Sequence, residues 1–150
     1  MKYVKLFNNH SEYQTYINNE PILPNLSYCK DADDCHYTNI ETKLVLTFNS
    51  STIKIFGLDA GYIFNNTFNS VEVDGVNITA SDLDIWNNYD TTEGTHVVKY
   101  DLKDNSIIPA SLFYGCNCIS AFIPDSVEII DYTAFGYSSI THVTLNINTV

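Results

Sequence analysis

The chain contains no arginine. Its seven basic residues are all lysines, set against 18 acidic residues, for a net charge of −11. Arginine supplies the forked donor that best grips phosphate or guanine. Affinity for nucleic acid comes largely from neutralised phosphates, so no nucleic-acid partner is expected. An anionic membrane surface is disfavoured on the same ground. Long apolar runs are missing too. No stretch nears the ~18–20 residues of a membrane span, and MKYVKLFNNH lacks the apolar core of a secretion signal. No membrane partner is therefore expected, and the protein is expected to stay where it is made or to leave by a route other than secretion. Its four cysteines, Cys29, Cys35, Cys116 and Cys118, are then expected to be reduced.

Signatures of chemistry are equally scarce. There is no GxGxxG, P-loop or HExxH. The histidines (His10, His36, His96 and His142) are scattered, and none sits in a recognised nucleophile–base pattern. Asp31-Ala-Asp33-Asp34 hints at calcium, but His36 and Thr42 stand where an EF-hand loop needs Gly and Glu. The cysteine spacings miss the usual zinc patterns. No catalytic residue, metal ligand or cofactor is assigned, and the chain reads as a non-enzyme.

What is present favours β structure. Charged residues are only 17% of the chain, so its polarity rests on Asn, Ser and Thr, and 11 Tyr and 8 Phe supply bulk for strands. Three zones emerge. In residues 1–41, Ser11-Glu-Tyr-Gln14 has capping-box form, and Tyr13, Tyr16 and Ile17 follow at helical spacing, so a short helix is predicted. Leu26–Cys29 and His36-Tyr37 read as short extended pieces. Tyr13 and Tyr16, with Tyr3, Leu6 and Phe7 on a candidate edge strand, are the candidate attachment residues; a core role for the helix stripe is the plainer alternative.

Residues 42–104 read as a small antiparallel β-sandwich-like module. Lys43–Phe48 and Thr52–Phe56 form a candidate hairpin around Asn49-Ser50-Ser51. Val71–Ile78 carries Asp74-Gly75, the dipeptide of a type I′ turn, between alternating strands. His96–Leu102 alternates as a further strand. Residues 81–94 hold the one tryptophan, Trp86, and read as a loop or crossover.

Residues 105–150 repeat. Ile108 and Ile130 lie 22 apart, as do Phe113 and Phe135; Ile119 and Ile140 lie 21 apart, as do Phe122 and Val143. A period just above ~20 is the sign of solenoid coils, each stacking apolar residues on its neighbour. Cys116 falls at an inward position suited to a small hydrophobe. About three coils are normally needed. The downstream face, with Val143, Leu145 and Ile147, is thus an expected open end that meets a partner or another copy of the chain.

The repeat resembles the BspA-type leucine-rich repeat. The matching positions are Ile108-Pro109, Phe113, Cys116, Ile119, Phe122-Ile-Pro124, Ser126-Val127, Ile130, Ala134-Phe135, Ile140 and Val143. The second copy departs from the pattern at Gly136-Tyr137-Ser138, which lacks the Cys, and at Leu145-Asn146, where Ile-Pro is usual. The opening, through Val4–Phe7, Glu12-Tyr13, Tyr16, Pro24–Cys29 and His36-Tyr37, resembles that of structural proteins from phages of gut Bacteroidales, including crAss-like phages. Val71–Gly75 with Thr95–Leu102 is similar to the β module that precedes such repeats there.

These resemblances imply a mainly β protein with a short N-terminal α/β segment, the sandwich-like module and two C-terminal leucine-rich-repeat solenoid coils. They imply a capsid-decorating or head-fibre component of a virion, homo-oligomeric and bound to capsid or other virion proteins. The alternative is a BspA-like bacterial surface adhesin or host-binding module.

Overall fold

The computed structural model describes the backbone of residues 3–6, 26–29 and 35–37, and residues 42–57 and 61–145 in full. The chain divides into two compact units, one of Met1–Thr42 with Asn146–Val150 and one of Lys43–Leu145. In the first, β1 (Tyr3–Leu6), β2 (Leu26–Cys29) and β3 (Cys35–Tyr37) form a sheet in that order. β1 runs parallel to β2 with Tyr3 opposite Leu26, and β2 antiparallel to β3 with Cys29 opposite Cys35. Tyr3 and Leu6 thus lie on the strand β1. Phe7 and the helix predicted around Tyr13 and Tyr16 lie outside the described residues.

The second unit is mainly β. It contains β4 (Leu44–Asn49), β5 (Thr52–Lys54), a short helix α1 (Phe64–Thr67), β6 (Phe68–Val73), β7 (Val76–Ile78) and β8 (Asn88–Asp90). After these come β9 (Thr95–Leu102), β10 (Ile107–Ile108), β11 (Cys118–Ile123), β12 (Ile129–Ile130) and β13 (His142–Leu145). Six strands form one mixed sheet in the order β13-β11-β4-β9-β6-β7; β5 pairs with β8, and β10 with β12. Of the strands read as an antiparallel sandwich-like module, β4, β6, β7 and β9 thus belong to one mixed sheet that also takes in two strands of the repeat, while β5 lies outside it. β11 runs antiparallel to β4, so the sheet crosses the expected boundary between residues 104 and 105.

Local pattern explains several strands. In β4, Leu44, Leu46 and Phe48 are buried while Val45, Thr47 and Asn49 are not; in β9, His96, Val98, Tyr100 and Leu102 are buried. A period of two places these on one face of the sheet. β6 and β7 form the predicted hairpin, with Val73 opposite Val76, and both turn residues have positive φ (Asp74 50°, Gly75 82°), as a type I′ turn requires. The expected hairpin between β4 and β5 does not form. β4 pairs with β9 and β11, while Ile53 and Ile55 enter the core beside the separate β5–β8 ladder. Asn49-Ser50-Ser51 bends the chain away from the sheet instead of folding it back.

A chain of rings ties the sheet to the repeat. Phe56 meets Phe68 (5.5 Å between centroids), Phe68 meets Tyr100 (5.4 Å), and Tyr100 meets Phe113 edge-on (5.0 Å). Phe113 then stacks on Phe135 at 5.2 Å and 17°. The Tyr100 hydroxyl, fully enclosed, donates to the Ile55 carbonyl at 2.7 Å, and burial pushes its pKa well above the ordinary value.

One polar pair is built into the start of β9. His96 Nδ1 lies 2.6 Å from Asp74 Oδ2, and Nε2 lies 2.7 Å from the Thr92 carbonyl. Both neighbours are acceptors, so the site favours the imidazolium form, in which both ring nitrogens donate. Asp74 is the charged group that acts on it, and Phe48 stands opposite it on β4. The bond to Asp74, then that to Thr92, raises the pKa of His96 above 6.5. Burial pushes Asp74 up, but bonds from His96 and from the Val97 amide bring it below its ordinary 3.8. The stability that His96 contributes is therefore complete below pH 6.5 and is lost as pH rises through its raised folded value. That of Asp74 is present above pH 3.8 and is lost as pH falls through its lowered folded value. Thermal melts of the wild type and of His96→Asn across pH 4–9 check this: the gap between them narrows at the alkaline end.

Candidate interaction surface

The repeat builds its ladders at one constant offset. Ile107 pairs in parallel with Ile129 and Ile108 with Ile130, while Ser120 pairs with His142, Ala121 with Val143, Phe122 with Thr144 and Ile123 with Leu145. Every pair is 22 residues apart. The expected one-residue shortening, which aligned Phe122 with Val143, is corrected to Phe122 with Thr144. The register follows continuous hydrogen bonding, not the best match of apolar side chains.

The turns between the strands repeat in the same register. Ser111 and Thr133 have φ of 60° and 51° and share a hydroxyl–hydroxyl bond of 2.8 Å; Gly115 and Tyr137 have φ of 70° and 53°. The Phe113 amide donates to the Ala134 carbonyl and the Gly115 amide to the Gly136 carbonyl, both at 2.8 Å. The sequence swaps Tyr114-Gly115 for Gly136-Tyr137, and the swap fits the contact. A Cβ on Gly136 would stand 3.0 Å from the Tyr114 ring, which itself meets the Tyr137 ring at 5.2 Å.

The first copy is inside and the second is outside. Ile108, Leu112, Phe113, Cys116 and Cys118 are buried, and burial raises both thiols, Cys118 to about 11. These cysteines stay protonated and behave as small hydrophobes. In the second copy only Ala134 is buried, with Phe135 and Ile140 packed partly against the core. Ile129, Ile130, Tyr132, Tyr137, Val143 and Leu145 are all exposed, Tyr132 at 81% and Tyr137 at 86%. Soluble chains seldom leave so many large apolar side chains together in water. Of the expected open-end residues, Val143 (50% exposed) and Leu145 (39%) lie on β13, the last strand of the six-stranded sheet among the described residues; Ile147 lies outside them.

Tyr132 and Tyr137 escaped the sequence reading, although a signal existed. They stand where the first copy has Ala110 and Gly115, so comparison of the copies shows bulk added on the outward side. Tyr137 also keeps a left-handed conformation that costs a non-glycine residue about 1–2 kcal/mol. Tyr137→Gly relieves that cost but gives up the Tyr114 contact and adds freedom to the unfolded chain. Chemical denaturation should then find stability unchanged within about 1 kcal/mol.

The charged residues of this stretch of sequence are acidic. No Lys or Arg occurs from residue 104 to residue 150, and Glu128 and Asp131 are exposed beside Ile129, Ile130 and Tyr132. An open cleft of about 360 Å³ lies between α1 and the end of β9, with Tyr62, Lys103 and Asp104 as its ionisable lining. Tyr62 donates to the Ala110 carbonyl, and burial, then Asp131, raises its pKa; Asp104 is held by Ser106. Among the described residues, no cluster of three or more His, Cys, Asp or Glu side chains is placed to hold a metal ion. No protein-family model matches this chain, and neither a curated protein nor a solved structure matches it.

Proposed function

We propose that this chain is a non-enzymatic structural component of a phage virion, a capsid-decorating or head-fibre protein that works by protein–protein contact. In this reading residues 105–150 are two leucine-rich-repeat solenoid coils, the second of which is completed by a neighbour. The observation that carries it is the contrast between the copies: the first is buried, and the second presents Ile129, Ile130, Tyr132, Tyr137 and Val143 to water. The 22-residue register of strands and left-handed turns supports the coil reading, since a stack that repeats so regularly can be continued. Each side chain that a partner covers fully gains ~1.5–3 kcal/mol.

The N-terminal residues Tyr3, Leu6, Phe7, Tyr13 and Tyr16 are the proposed attachment to the shell or to a sister subunit. The acidic face fits the outside of a particle, away from packaged DNA. Quantitative mass spectrometry of purified particles tests this: the reading requires many copies per particle. It also requires that incorporation fall about tenfold or more in a Tyr132→Ser, Val143→Ser double variant that melts like the wild type. A variant that incorporates normally refutes the interface. Absence of the chain from particles refutes the virion role.

A further inference from the structure

The one tryptophan of the chain stands at the outer end of the loop between β7 and β8, next to Ile85. Trp86 is 58% exposed and Ile85 is 83% exposed. This loop is not slack. Asp84 Oδ1 accepts from the amides of Trp86 (2.8 Å) and Asn88 (2.9 Å), and Oδ2 accepts from Asn88 Nδ2 at 3.2 Å. The Asn87 amide donates to the Asp84 carbonyl, and the Asp84 amide to the Asn88 carbonyl, both at 3.0 Å. Asn87, at φ 61°, completes the turn, and its carbonyl accepts from the amide of Ile55, a core residue. Upstream, Asp82 accepts from the amide and hydroxyl of Thr79. Two large apolar side chains are therefore presented on a braced support, and little order remains to be lost when they are bound.

The charged residues that flank them in the sequence are acidic. Asp82, Asp84, Asp90 and Glu93 are all exposed, and no Lys or Arg occurs between Lys54 and Lys99. Lys54 itself directs its amine toward Gly115, and the charge of His96 is met by Asp74. The carboxylates of Asp82 and Asp84 are engaged in bracing the loop. Asp84 is held below the ordinary range by the Asn88 amide first.

We propose that Ile85 and Trp86 form a docking prong that seats in an apolar pocket of a partner protein, with Lys or Arg side chains of that partner rimming the pocket and meeting the carboxylates of Asp82 and Asp84. Tryptophan is the residue most enriched at the energetic centres of protein interfaces, and an opposite charge around it sets both encounter rate and orientation. The same acidic flanks oppose an anionic bilayer and a second copy of this chain. The prong lies on residues 79–93 and stands independently of the role proposed for residues 129–145.

Because Trp86 is the sole tryptophan, emission from the intact chain reports on this site alone. The probes are a short amphipathic peptide of leucine and lysine, its leucine–glutamate counterpart, and phosphatidylcholine vesicles. The leucine–lysine peptide should shift the emission to the blue and shield it from acrylamide. Anisotropy of the labelled peptide should show binding weakened about tenfold or more by Trp86→Ala and by Ile85→Ser, and weakened by added salt. Both sites are exposed, so the variants should melt like the wild type. Equal binding by the variants, equal binding of the glutamate peptide, or a blue shift with vesicles alone overturns the proposal. So does a blue shift that grows with protein concentration in the absence of peptide.

Discussion

Phe113→Ala lowers the stability of the Lys43–Leu145 unit by about 3–5 kcal/mol. The ring is fully buried and is the joint between the sheet and the second copy of the repeat, edge-on to Tyr100 on one side and stacked on Phe135 on the other. Truncation removes both contacts and leaves a cavity that flanking strands cannot close without breaking their ladders. Small domains are stable by only ~5–15 kcal/mol, so a loss of this size takes a large share of the total. Chemical denaturation measures it. Hydrogen exchange should show residues 129–145 losing protection first, since Phe135 loses its stacking partner. A loss below about 1 kcal/mol would mean that the joint lies elsewhere.

Gly57→Ala costs about 1–3 kcal/mol, for a reason unrelated to backbone freedom. A Cβ at position 57 would lie 2.9 Å from the carbonyl oxygens of both Ser111 and Tyr114, and 3.1 Å from the Tyr114 amide nitrogen. None of these is a side-chain end that can swing aside. The Gly57 amide also donates to the Leu112 carbonyl at 2.7 Å, which pins the two segments together. The added methyl must push the first turn of the repeat away from the segment at Gly57. Gly75→Ala is the matched control. Nothing lies within 4 Å of its Cβ, so its cost comes from the positive φ of 82°. Denaturation of both variants, with exchange read at Ser111–Tyr114, separates them: only Gly57→Ala should loosen that turn.

The sequence announced what is local. Asp74-Gly75 marked its hairpin, the alternation of His96–Leu102 marked β9, and the spacing of Ile108 to Ile130 marked the repeat. What it hid is non-local. Asn49-Ser50-Ser51 has the composition of a turn, but composition does not say whether the strands on either side pair with each other. Here they part, because β4 finds β9 and β11 while β5 finds β8. The join of β4 to β11 across residues 104 and 105 likewise has no local signature. The repeat register went astray by one residue because apolar matching favours Phe122 with Val143, whereas the ladder must stay continuous with the turns at Ser111 and Thr133. Of the proposed interface, Val143 and Leu145 were legible as the expected open end of the repeat. Tyr132 and Tyr137 required the two copies to be compared position by position. Trp86 was legible as a loop residue, but its exposure depends on how Asp84 and Asn88 fix the turn.

The claim on which the functional reading turns is that the outer face of the second copy is covered by a neighbouring molecule. Amide hydrogen exchange over residues 129–145, in the native assembly and in the dilute chain, tests it most directly. Protection that rises in this segment on assembly, while the ladders of β4, β6 and β9 exchange alike in both samples, is the predicted result. Equal exchange of residues 129–145 in the two samples would contradict it.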